Sequence, residues 1–126
     1  MHRSRVFGLF IDTPLAEADA AATFWSAALG APARPVPGEE EFIQLHGAVP
    51  GFSVDVQAID GPARHHLDIE TDDVPAERAR LIGLGAEVVA DKDGFTTLRA
   101  PGGHLVCVVP VQSDRALFDA DHRTWP

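Results

Sequence analysis

The chain has 126 residues, 45% apolar and 23% charged, the composition of one soluble globular domain large enough for its own core. Its 19 acidic against 10 basic residues leave a net charge of −9 with no basic run, which argues against nucleic acid, whose binding needs Lys and Arg to displace counterions. The single cysteine, Cys107, rules out an intrachain disulfide and suits a reducing cytoplasm, and no stretch reads as a signal peptide or a membrane span.

Residues 6–11 are apolar throughout and predict a buried strand, ended by Asp12-Thr13-Pro14. Over residues 17–29 the pattern turns helical, with Ala21, Phe24, Trp25, Ala28 and Leu29 on one stripe. Gly30 supplies the stop. Pro32 and Pro35 confine any strand over residues 31–36 to a sheet edge. Pro37-Gly38 and Glu39-Glu40-Glu41 read as a solvated loop. Strands are predicted over residues 42–46 and 52–59, with a turn at 47–51, and Gly61-Pro62 is a linker.

The stretch His65-His66-Leu67-Asp68-Ile69-Glu70 alternates polar and apolar and predicts a half-buried strand. Leu67 and Ile69 would face a helix, and His66, Asp68 and Glu70 the opposite side. A helix follows over residues 74–84, capped by Asp72 or Asp73, with Glu77 placed to pair with Arg80 on its exposed face. Strands over 86–90, 95–99 and 104–109 complete the pattern, joined by turns at Asp91-Lys92-Asp93-Gly94 and Pro101-Gly102-Gly103.

Both halves thus read strand–helix–strand–strand–strand. Leu29-Gly30-Ala31 returns as Leu84-Gly85-Ala86, and Ile11-Asp12-Thr13 as Ile69-Glu70-Thr71. Val54-Asp55-Val56 has its counterpart in Val106-Cys107-Val108. The domain organisation expected is one module over about residues 6–60, a second over about 64–110, and a tail, 111–126. In the tail, Phe118 and Trp125 on a polar segment predict that it docks, over a cavity mouth or onto a partner subunit.

Several of these segments resemble the vicinal oxygen chelate superfamily, which includes glyoxalases, extradiol dioxygenases and bleomycin-resistance proteins. They are Ile11-Asp12-Thr13-Pro14, Phe24-Trp25-Ser26-Ala27-Ala28-Leu29-Gly30, the His66 to Asp73 stretch, and Pro101-Gly102-Gly103-His104-Leu105-Val106-Cys107-Val108-Val109. The glyoxalase-like domain branch is the most similar. The resemblance implies an α+β fold of tandem βαβββ modules, forming an open, barrel-like mixed sheet around a central cavity.

On that fold, strand alternation turns Phe10, Phe42, Gln44, Asp55, His66, Asp68, Phe95, Arg99 and Cys107 inward, together with Gly8 and Asp12. These nine are the expected substrate-binding residues; no catalytic residue is assigned. The family's four metal-ligand positions fall on Gly8, Asp55, His66 and Cys107. Two are poor ligands, so no metal cofactor is expected; a divalent metal would have to use Asp55, His66 and Cys107. Each residue also has a plainer reading. His66 could simply pair with Asp55, Asp68 with Arg64 or Arg99, and Cys107 could be an inert core thiol. Three functions follow from the resemblance: a metal-independent small-molecule binder or glyoxalase-like lyase or isomerase, a metal-dependent lyase or dioxygenase, and a drug-sequestering protein of the bleomycin-resistance type. A homodimer with a small-molecule ligand, and neither nucleic acid nor membrane as partner, completes the expectation.

Overall fold

A computed structural model describes residues 1–126. The chain is mixed α+β, with nine strands in the order β2-β3-β4-β1-β5-β8-β7-β6 and β9 on β1. The strands are β1 His2–Pro14, β2 Ala33–Val36, β3 Glu39–Leu45, β4 Ser53–Ile59, β5 Arg64–Thr71, β6 Glu87–Lys92, β7 Phe95–Arg99, β8 Leu105–Pro110 and β9 Arg123–Trp125. The helices are α1 Ala18–Leu29, α2 Val74–Gly83 and α3 Arg115–Ala120. The sheet is open, with β2 and β6 at its edges. No helix is long and apolar enough to cross a membrane.

The chain divides into two compact units, Gly8–His66, and Met1–Phe7 with Leu67–Pro126. In the Gly8–His66 unit, β4 lies between its parallel neighbour β1 and its antiparallel neighbour β3. The two prolines leave β2 on the edge, as expected. The core joins Ile11, Leu45, Val54 and Val56 to Ala22 and Ala31, with Ala21 and Trp25 packed against it. The helix therefore rests on the alternation face that carries Val54 and Val56. Its buried stripe is narrower than predicted and rotated. Ala18 and Ala22 are the residues buried, whereas Phe24 is 61% exposed. Alanines let the helix sit close to the sheet, and that leaves no depth for a phenylalanine on the flank. Gly30 ends α1 in the left-handed conformation, φ 64°. Glu39, Glu40 and Glu41 are strand, not loop. The hairpin turn needs only Pro37-Gly38, with Gly38 at φ 78°, and an edge hairpin keeps all three acids in solvent.

In the other unit, Leu98 and Val108 are fully buried on the face of β7 and β8 covered by α2. Asp73 caps α2 by accepting from the Ala76 amide at 3.1 Å. Asp72 instead binds Arg3, through its backbone amide at 2.8 Å and its Nε at 2.9 Å. Glu77 does accept from Arg80, at 2.8 and 2.7 Å, yet it is wholly buried rather than surface-facing. His2 on β1 supplies the further partner, at 2.7 Å. The first strand is accordingly longer than its apolar run: His2, Ser4 and Arg5 are buried because ionic and hydrogen-bond partners await them. The tail docks on its own chain. β9 pairs with β1 from His2 to Ser4, Phe118 is fully buried, and Trp125 donates to Ser4 Oγ at 2.8 Å with Arg80 stacked 3.8 Å over its ring.

Candidate functional site

The face of the Gly8–His66 sheet opposite α1 is built in rows by strand register. Phe42 pairs with Gln57 and Gln57 with Asp12. In the next row Gln44 pairs with Asp55 and Asp55 with Phe10. Beyond that Ser53 meets Gly8. Paired residues share a face, so Phe10, Phe42, Gln44 and Asp55 lie together as the alternation predicted.

His66 joins them by ring contact. Its imidazole stacks on Phe10 with centroids 4.9 Å apart and planes 7° from parallel, while Phe42 meets Phe10 edge-on at 5.9 Å. The hydrogen bond shown for His66 joins it to Asp12: Nδ1 lies 2.7 Å from Asp12 Oδ2. A carboxylate accepts, so this contact places a proton on Nδ1 and fixes the ring's orientation. The Arg64 guanidinium also approaches Asp12 Oδ2, at 3.5 Å. Asp55 takes the Ser53 hydroxyl at 2.6 Å. Asp12, 1% exposed, was seen as inward in the sequence but not as a site residue, because nothing local says which strand lies beside it.

The other four predicted residues belong to the second unit. Thr97 pairs with Cys107 and Arg99 with Leu105, so Phe95, Thr97, Arg99, Leu105 and Cys107 share one face. Thr97 Oγ1 is 3.4 Å from Cys107 Sγ. An Asp68 carboxylate oxygen comes within 4.8 Å of that sulfur. Arg99 donates to the Gly103 carbonyl at 3.1 Å. Leu67 is 43% exposed whereas Asp68 and Glu70 are buried, so the polar side of β5 is the better covered one. Glu70 has a structural partner set: Oε1 accepts from the Gln112 and Ser113 amides, Oε2 from Arg5 and the Ser113 hydroxyl. Burial opposes its ionisation, but these bonds outweigh it and hold the carboxyl below the ordinary glutamate range. The same balance at Glu77, with Arg80 and His2 as donors, also lowers its pKa.

The family's metal positions can be tested residue by residue. Gly8 has no donor, and a Cβ there would sit 2.5 Å from the Ser53 carbonyl oxygen, so the close approach of β1 to β4 excludes any ligating side chain. Cys107 puts a soft thiol where the family has a hard oxygen donor. The four-ligand set does not fit these residues.

Two βαβββ halves around an open mixed sheet, with polar and aromatic side chains on the face away from the helix, define a glyoxalase-type fold. The chain belongs to the glyoxalase-like domain family, whose match covers residues 8–109, within the vicinal oxygen chelate superfamily. Among solved structures, methylmalonyl-CoA epimerase from Streptomyces coelicolor, in complex with 2-nitronate-propionyl-CoA, is similar at 19% identity and TM-score 0.57, covering 86% of this chain and 98% of its own. The Mycobacterium tuberculosis epimerase matches at 15% and 0.58, covering 85% and 88%. A hypothetical protein of Bacillus halodurans matches at 11% and 0.61, covering 89% and 99%. At these identities the likeness shows the fold. No curated protein matches the sequence.

Proposed function

We propose that the protein binds a small organic molecule on the Phe10–Phe42–His66 face, without a metal, with Gln44 and Asp55 as polar contacts. The observation that carries the reading is the stacked His66 ring, tied down by Asp12, beside two phenylalanines on the face the helix leaves uncovered. A few fixed polar groups among aromatics suit recognition of a partly apolar ligand. The misfit at Gly8 supports metal independence. The epimerases' CoA ester is not carried over: polyphosphate is disfavoured by a net charge of −9. A drug-sequestering role is the same binding without turnover. The reading includes a cytoplasmic setting, supported by the lone thiol. It also includes a homodimer, supported by the edge strand β6, whose Val88 and Val89 stay exposed.

The test is an NMR screen of neutral and charged aromatic and aliphatic fragments, in the presence and absence of EDTA. Hits should perturb Phe10, Phe42 and His66 signals, lose affinity about tenfold or more on Phe10→Ala, and ignore EDTA. Binding that vanishes with EDTA, or that maps away from these residues, overturns the reading.

A further inference from the structure

The row that carries Phe10, Asp55 and Gln44 does not stop at β3. Gln44 also pairs with Arg34 on the edge strand β2, so Arg34, Gln44, Asp55 and Phe10 stand side by side across four strands of the Gly8–His66 unit. Phe42 lies two residues along β3 from Gln44, diagonal to Arg34 at about 7–8 Å between Cα atoms. The three-carbon stem of an arginine carries its guanidinium over that distance. Arg34 thus adds a positive charge to the outer end of the Phe10–Phe42–His66 face.

Two polar groups are left uncommitted at this end. Arg34 is exposed and pairs with no acid, although acids outnumber bases 19 to 10. The other arginine beside the face, Arg64, is held by Asp12 at 3.5 Å. Gln44 is half-buried, yet its amide hydrogen-bonds to nothing in the chain. Most polar side chains drawn into a sheet face find a protein partner. Its neighbour Asp55 is served from its own strand, by the Ser53 hydroxyl at 2.6 Å. An open guanidinium and an open amide therefore sit next to each other, both N–H donors, beside an aromatic ring.

We infer that this face takes an organic acid with an aromatic ring and a single carboxylate. The inference rests on the small-molecule reading above and names its ligand class. The ring rests against Phe42 and Phe10, and the carboxylate accepts from the Arg34 guanidinium and the Gln44 amide. One guanidinium balances one negative charge; a polyanion would also meet Asp55 in the same row and a chain of net charge −9. An amine of the same shape meets the like charge of Arg34 and is rejected. Arg34 is at the surface, so the attraction is screened by salt. Gln57 supplies a control. It is another half-buried amide without a partner, and it borders Phe42, but it lies two strands from Arg34.

The experiment titrates the full-length protein with phenylacetate, 2-phenylethanol and 2-phenylethylamine, followed by amide and side-chain NMR shifts. Phenylacetate should bind tightest and the amine weakest, with shifts at Phe10, Phe42, the Gln44 amide and Arg34 Nε. Arg34→Gln, at an exposed edge position, should weaken phenylacetate about fivefold or more and flatten its salt dependence, leaving the alcohol unchanged. Arg34→Lys should recover only part, because an ammonium lacks the guanidinium fork. Gln44→Leu should weaken phenylacetate, whereas Gln57→Leu should leave it within about twofold; the spectrum of each free variant shows that the fold persists. Equal binding of the three probes, no binding of phenylacetate, no effect of Arg34→Gln, or equal effects of the two glutamine variants overturns the inference. Should all three probes bind in a Phe10-dependent way that Arg34→Gln leaves alone, the carboxylate assignment falls and the binding face stands. Phenylacetate held by Arg34 but indifferent to Phe10→Ala would instead sink the binding face and, with it, the aromatic seat.

Discussion

Replacing Glu70 by Gln tests how the second unit is held together. Glu70 is fully buried and accepts four hydrogen bonds, at 2.7 and 2.9 Å from the Gln112 and Ser113 amides, 2.6 Å from the Ser113 hydroxyl and 2.8 Å from Arg5 Nη1. Glutamine keeps the shape and one oxygen. If that oxygen serves the two amides, the new NH₂ faces the Arg5 guanidinium, donor against donor. The Ser113 hydroxyl can rotate and accept, but Arg5, 8% exposed, cannot. Its other contacts are longer, Nη1 to Ser113 Oγ at 3.5 Å and Nε to Asp121 Oδ2 at 3.7 Å. Removing one partner of a buried pair costs about 3–5 kcal/mol; Asp121 offsets part of that, so about 3 kcal/mol is expected. For a domain of this size that lowers Tm by roughly 10 °C. Circular dichroism melts and urea titrations of both proteins read the loss. Adding Arg5→Met should recover part of it, because a neutral buried pair is tolerated better than a buried charge that has lost its nearest counter-ion. A loss below about 1 kcal/mol, or no recovery in the double variant, would refute the view that this carboxylate secures the turn at residues 110–113.

Glu70 and Glu77 both have folded-state pKa values below the ordinary 4.5. Their stabilisation is therefore present above that value and lost as pH falls through the lowered folded pKa, so the urea midpoint should hold from pH 7 to 5 and drop below about 4.5. Gly8→Ala should destabilise the protein by about 1–3 kcal/mol, since the new Cβ meets a backbone carbonyl at 2.5 Å, read as a lower urea midpoint with unchanged slope. Deleting residues 113–126 removes buried Phe118 and the β9 pairing with His2–Ser4; limited proteolysis should show the Leu67–Pro126 unit opened, not merely a trimmed surface.

Much of the fold was legible because alternation and local chemistry act over short distances. The two-module order, the Gly30 stop, the Asp73 cap and the proline-bearing edge strand each follow from a residue and its near neighbours. That Phe10, Phe42, Gln44 and Asp55 share a face follows from the same period-two rule, and the register agrees. The burial of charge was not legible. Three ionisable groups on one side of β5 suggested a site, yet Glu70 serves Arg5 and Ser113, and Glu77 serves His2 across 75 residues of chain.

The sequence by itself determined which residues share a face, because side-chain direction alternates along a strand whatever lies beside it. Only the tertiary structure decided what each of them meets. Strand order put Asp12 against His66. The tight contact of β1 with β4 closed the Gly8 position to any ligand. The pairing of β9 with β1 turned the tail's aromatics toward their own chain. These outcomes rest on contacts between residues distant in sequence, where no local periodicity carries the information.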